Sequence, residues 1–121
     1  HTLSILMIVE DDWRSIYMIG CAGGDYRPQI HARIYENIFV YNMDLGEAVN
    51  APRFIFTDIS RASRVYIEEG LTDYSPSSGA EVVRGPRYGS TGLVNIAKRD
   101  MAKSYTVFAP DPRGAAVSIA V

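Results

Sequence analysis

The pattern with the most chemical potential is Gly20-Cys-Ala-Gly-Gly-Asp25. A strand pattern over Arg14 to Ile19 runs into this glycine corner, and the corner opens onto an amphipathic helix with Pro28 in its first turn. Gly23 and Gly24 have no Cβ to shield their amides, and the free N–H groups of the next helix point the same way. Such a corner can hold a phosphate, a carboxylate or a developing oxyanion. It can equally be a structural turn, because Gly-x-x-Gly-Gly has neither a Lys-Ser/Thr ending nor a Gly-x-Gly-x-x-Gly spacing.

Other reactive side chains weigh less. Cys21, just before a helix start, has a setting in which a thiolate is stabilised, with His31 and Asp44 as conceivable partners. His31, however, falls on the apolar stripe of the helix beside Tyr35 and Phe39, where a hydrogen-bonded core histidine is the simpler reading. The acidic pair Asp11-Asp12 reads as a solvated turn, and His, Cys and carboxylates nowhere recur at ligand spacing, so neither a metal nor a cofactor is expected. Arg53 and Arg113 each follow a proline. Their expected role is structural, tying down carbonyls or carboxylates.

The elements that must position the corner follow from periodicity. Leu3 to Val9 and Arg14 to Ile19 are apolar runs separated by Glu10-Asp-Asp-Trp13, which predicts a β-hairpin in a covered sheet, with Trp13 over the edge of its turn. From Tyr26 to Asn42 the rows Ile30, Ile34, Ile38 and His31, Tyr35, Phe39 form one wide apolar stripe, with Arg27, Arg33, Glu36 and Asn37 outside it. Asp25 can cap this helix, and Pro28 is tolerated in its first turn. Asp44 to Asn50 reads as a short second helix with a capping box of Asp44 and Glu47, ended by Pro52.

Phe54 to Thr57 and Arg64 to Glu69 alternate as strands do, and Leu71 to Pro86, rich in Gly, Pro and Ser, reads as a mobile loop. Gly92 to Lys98, Ser104 to Phe108 and Ala115 to Val121 predict three antiparallel strands in meander order. Arg99-Asp100 and Asp111-Pro-Arg-Gly114 are the expected turns.

The chain has 121 residues, 47% of them hydrophobic, and a net charge of −2, enough for one domain with a core and no basis for a nucleic-acid partner. No eighteen-residue apolar run or signal-peptide pattern occurs, so the segment is expected to be soluble and without membrane contact. His1 stands where an initiator Met would, which suggests a processed or trimmed product or a tag remnant. The lone Cys21 excludes an internal disulfide and leaves localisation, cytoplasmic or exported, open.

Gly20-Cys-Ala-Gly-Gly24, the helix, Met43-Asp-Leu-Gly-Glu-Ala-Val-Asn-Ala-Pro-Arg-Phe54, Tyr88-Gly-Ser-Thr-Gly92 and Asp111-Pro-Arg113 occur in that order. Together they resemble the C-terminal part of the small subunit of the γ-glutamyltransferase family of N-terminal-nucleophile hydrolases, over nearly the whole chain. The resemblance implies an α+β fold: one segment, 1–121, forming part of an αββα sandwich, with strands of two stacked sheets and one long outer helix. It implies that Gly23 and Gly24 donate backbone N–H bonds to the oxyanion formed when a γ-glutamyl carbonyl is attacked.

The resemblance also implies what this segment does not hold. The family's nucleophile is a Thr exposed by self-cleavage, with its own α-amino group as base, and it lies upstream. Thr2-Leu-Ser4 aligns with a Ser-Pro-Thr that begins an internal strand, so Thr2 is not that residue. The Ser-Ser pair that holds the substrate α-carboxylate aligns just before His1. The family has Ser or Thr at Cys21 and Pro at Ala22, and a further helix after the Glu-x-Gly that Glu68-Glu-Gly70 resembles.

The implied partners are therefore the remainder of the same precursor, comprising the large subunit and the N-terminal part of the small subunit, and a γ-glutamyl small molecule. A β-lactam (cephalosporin) acylase-like amidohydrolase and a non-catalytic scaffold piece are the alternatives.

Overall fold

The computed structural model describes residues 3–114. The acidic turn returns β1 (Leu3–Val9) antiparallel onto β2 (Ser15–Ala22), pairing Leu3 with Ala22 and Val9 with Ile16. Trp13 sits in that turn at φ 58 and is exposed, so it leaves the sheet edge uncovered, contrary to expectation. β2 pairs on its other side with β6 (Leu93–Asp100), which pairs with β7 (Tyr105–Ala109), giving a four-stranded sheet in the order β1-β2-β6-β7. Arg99 and Asp100 extend β6 rather than turning, because both pair across to β7, and the turn falls on residues 101–104. The third predicted strand of this meander, Ala115 to Val121, lies outside the described residues.

Alternation gives this sheet two faces. Tyr17, Ile19, Cys21, Val94, Ile96 and Ala109 point inward and are buried under the helices. The opposite face carries Leu3, Ile5, Met7, Met18, Leu93 and Phe108, and Ile5 is 79% exposed. The hairpin thus lies in a sheet covered on one side only.

A 3₁₀ turn (Gly24–Tyr26) leads into α1 (Arg27–Tyr35), which continues as a π-helical turn (Glu36–Val40). No side-chain cap from Asp25 starts it. Ile30, Ile34 and Ile38 are buried as the stripe predicts, but Tyr35 is exposed and Asn37, expected outside, is fully buried. Helical spacing explains both: Asn37 follows Ile30 by about two turns and so lies on the buried stripe, whereas Tyr35 falls on its flank, ahead of the π turn that Tyr41 N–H closes onto Glu36 O at 2.9 Å. Asn37 then donates from Nδ2 to Ala48 O of α2 (Leu45–Asn50), which begins at the predicted capping box.

The second sheet has the order β3-β4-β5: β3 (Phe54–Phe56) antiparallel and β5 (Glu81–Gly85) parallel to the central β4 (Arg64–Glu68). β5 corrects the prediction of a loop across residues 71 to 86. Four of its five residues are exposed, so no alternation marked it. Gln29 of α1 joins the two halves, accepting from Phe56 N–H at 2.8 Å and donating to Phe56 O at 3.1 Å. Among the described residues no helix is long and apolar enough to cross a membrane.

Candidate functional site

The corner forms where β2 ends against β6. Gly23 has φ 179, Gly24 has φ 53, and Tyr26 N–H closes the turn onto Gly23 O at 3.0 Å. Glycine adopts the left-handed Gly24 conformation without the cost that a Cβ brings there. Neither the Gly23 nor the Gly24 N–H has a hydrogen-bond acceptor among the described residues. The Gly24 amide is thus open to an incoming acceptor among the described residues, next to the orphan donors of the following helix, whereas the β1–β2 ladder leaves the described residues at the Leu3–Ala22 pair, one residue before Gly23.

Close backbone approach explains the glycine at position 92. A Cβ there would lie 2.8 Å from Ala22 O, 2.5 Å from Ile30 Cδ1 and 3.3 Å from Gly23 Cα, and φ is 78. A Cβ on Gly23 would meet the same Ile30 methyl at 2.6 Å, whereas one on Gly24 would meet nothing within 4 Å. Gly23 is thus wedged into the core while Gly24 faces open space. A groove of about 280 Å³ on the uncovered sheet face, lined by Leu3, Ile5, Gly20, Ala22, Leu93 and Asn95 among others, reaches Ala22, one residue before the glycines.

Cys21 is a core residue: it is 2% exposed, and burial pushes its thiol above the usual range despite the nearby Arg53 and Arg27 charges. A thiol of this kind is inert. His31 does not meet it; its Nε2 lies 2.8 Å from Ser4 Oγ, and burial, helped by the Arg27 charge, lowers its pKa. Asp44 is spent on the capping box. No group of three or more His, Cys, Asp or Glu is placed to hold a metal ion among the described residues.

Arg53 and Arg113 carry out the tying role expected of them, and they do it in a buried ionic cluster that the sequence did not reveal. Arg53 Nη2 donates to Asp111 Oδ2 at 2.6 Å, and Arg113 pairs with Glu68 and with Asp111 Oδ1. The same guanidinium groups bind the carbonyls of Val49, Ala51 and Gly92. Thr91 Oγ1 and the Arg53 N–H donate to Glu68, and Val94 N–H donates to Asp111 at 2.8 Å. Burial pushes the Glu68 carboxyl up, but the bonds from Arg113, Thr91 and the Arg53 amide outweigh it and hold it below the usual carboxylate range. Through Gly92 O, this cluster reaches the strand start that packs against Gly23.

The fold defined by these elements is shared by solved enzymes. The transpeptidase CapD of Bacillus anthracis superposes with a TM-score of 0.78 at 20% identity, over 98% of this chain and 70% of that one. γ-Glutamyltranspeptidase from Pseudomonas nitroreducens gives 0.74 at 16% identity, over 99% of this chain and 62% of that one. Cephalosporin acylase from Bacillus halodurans gives 0.62 at 18% identity, over 82% of this chain and 20% of that one. No curated protein sequence matches the chain. The γ-glutamyltranspeptidase family model matches residues 1–121, and the chain belongs to that family.

Proposed function

We propose that this segment supplies the oxyanion hole of a γ-glutamyl transferase or hydrolase. The observation that carries the reading is the glycine corner between a buried strand and a helix N-terminus, where the Gly24 amide has no acceptor among the described residues. In this reading the upstream Thr hydroxyl attacks the γ-glutamyl carbonyl, giving its proton to its own α-amino group. The two glycine amides receive the charge that develops on the carbonyl oxygen. The intermediate collapses to an acyl-enzyme and releases the amine. Water or an acceptor amine then attacks the ester, through a second oxyanion held by the same donors.

The partner that completes the site is the remainder of the precursor. Its strands would cover the apolar face of Leu3, Ile5, Met7, Met18, Leu93 and Phe108 and complete a stacked αββα sandwich. A β-lactam acylase is the second reading, because the fold extends to cephalosporin acylase and the same donors serve either acyl group.

Gly24→Val in the complete protein is the test. Its side chain meets no neighbour, so the change acts through the left-handed backbone, where a β-branched residue is strongly disfavoured. Displacing an oxyanion donor should lower kcat about 100-fold or more. KM should change much less, since the charge exists only at the transition state. A folded Gly24→Val protein with wild-type kcat on both γ-glutamyl anilide and β-lactam substrates refutes the role.

A further inference from the structure

Glycine allows the corner's conformation but does not enforce it, so a neighbour must hold the peptides in place. One side chain is built to do so. Arg27, in the first turn of α1, donates from Nε to Gly24 O at 2.6 Å and from Nη1 to Leu3 O at 2.6 Å. The planar guanidinium fixes the angle between its two bonds, so the corner and the start of β1 are clamped at a set separation. On the other side, Tyr26 N–H holds Gly23 O at 3.0 Å. Because each peptide unit is planar, holding the Gly23 carbonyl aims the Gly24 N–H. Holding the Gly24 carbonyl then fixes the second plane flanking the Gly24 Cα. With both carbonyls engaged, the corner cannot flip a peptide without breaking one of these bonds.

We propose that Arg27 is a positioning residue for the Gly23–Gly24 corner, a role that rests on reading that corner as the oxyanion hole. Charge adds to geometry. The guanidinium charge acts on both Cys21 and His31, which flank the corner in the chain. Helix stability alone does not need this arrangement: the bond to Leu3 O leaves the helix and reaches across to another element.

The experiment compares Arg27→Lys and Arg27→Met with Gly24→Val and the unmodified protein, all in the complete enzyme, with rates normalised to the folded fraction. A donor displaced by about 1 Å can cost up to about 100-fold in rate. Arg27→Met is therefore expected to lower kcat about 10- to 100-fold while KM moves less than about 3-fold. Arg27→Lys keeps the charge without the fork and should recover part of the loss. Wild-type kcat in Arg27→Met, where Gly24→Val has lost it, overturns the positioning role and leaves the oxyanion reading standing. Wild-type kcat in both variants removes the oxyanion reading and this inference with it. A loss that disappears on normalisation, or that falls equally on KM, assigns Arg27 to stability alone and also overturns the proposal.

Discussion

Asp111→Asn tests the buried ionic cluster most directly, because it removes one charge and preserves shape. In the native cluster two cations, Arg53 and Arg113, face two carboxylates, Glu68 and Asp111, and the pairs are about 1% exposed. The substitution leaves two cations facing Glu68 alone. Arg53 suffers most, since its remaining acceptors are the carbonyls of Val49 and Gly92, each at 3.2 Å, and its Nε has no partner. Breaking a buried pair from one side costs about 3–5 kcal/mol, a large part of the roughly 5–15 kcal/mol that holds a domain together. The bonds from Val94 N–H and Arg113 N–H to the carboxylate weaken as well. In a urea titration of the complete protein, with a slope of about 1–3 kcal/mol/M, the midpoint should fall by at least about 1 M. Glu81→Gln, which removes the exposed partner of Arg64, should scarcely move it. An Asp111→Asn protein that unfolds within about 0.3 M of the unmodified one would refute the reasoning, since its Arg53 would then be buried with no carboxylate partner at no cost.

Cys21→Ser should keep acyl transfer within about 3-fold, and native Cys21 should resist alkylation at pH 7 until the protein unfolds, because burial raises its pKa; a loss of several thousand-fold with the fold intact would make the residue catalytic. Acid should unfold the protein partly through Glu68. Its carboxyl is depressed below the ordinary 4.5, so its contribution is complete above that value and is lost as pH falls through the lower folded-state value. Thermal midpoints measured from pH 7 down to 3 should therefore drop more gently in Glu68→Gln, and parallel curves would exclude this source.

Local signals carried much of the fold. The hairpin, the helix from residue 26 onward and the capping box at Asp44 each depend on neighbours within a few residues, and each formed where its pattern lies. β5 stayed hidden because it is an exposed parallel edge strand: its pairing with β4 joins Arg64 to Glu81 across a long connection, and no short-range pattern encodes that. Asn37 was misplaced because it is polar, although its spacing from Ile30 and Ile34 puts it on the same helical face. Glu68 and Asp111 escaped for a similar reason. A buried carboxylate looks like a surface one until its arginine arrives from 45 or 58 residues away.

The glycine corner was legible as a turn between strand and helix but not as a position in space, and that difference says how the corner is made. Gly23 is placed by the core: Ile30 Cδ1 sits where a Cβ on Gly23 or on Gly92 would go, so one buried methyl gauges the spacing of two strands and a helix. Gly92 is held in turn through its carbonyl by Arg53, and Arg53 is held by Asp111. Gly24, by contrast, has no neighbour at its Cα face and, among the described residues, is restrained through the carbonyls that Tyr26 and Arg27 bind on either side of it. Under the proposed oxyanion reading, a donor that meets a charge present only at the transition state is served by this combination of a rigid base and an unobstructed face. Rigidity comes from residues up to 88 positions apart in the chain, as between Gly23 and Asp111, and openness from the absence of a side chain at position 24.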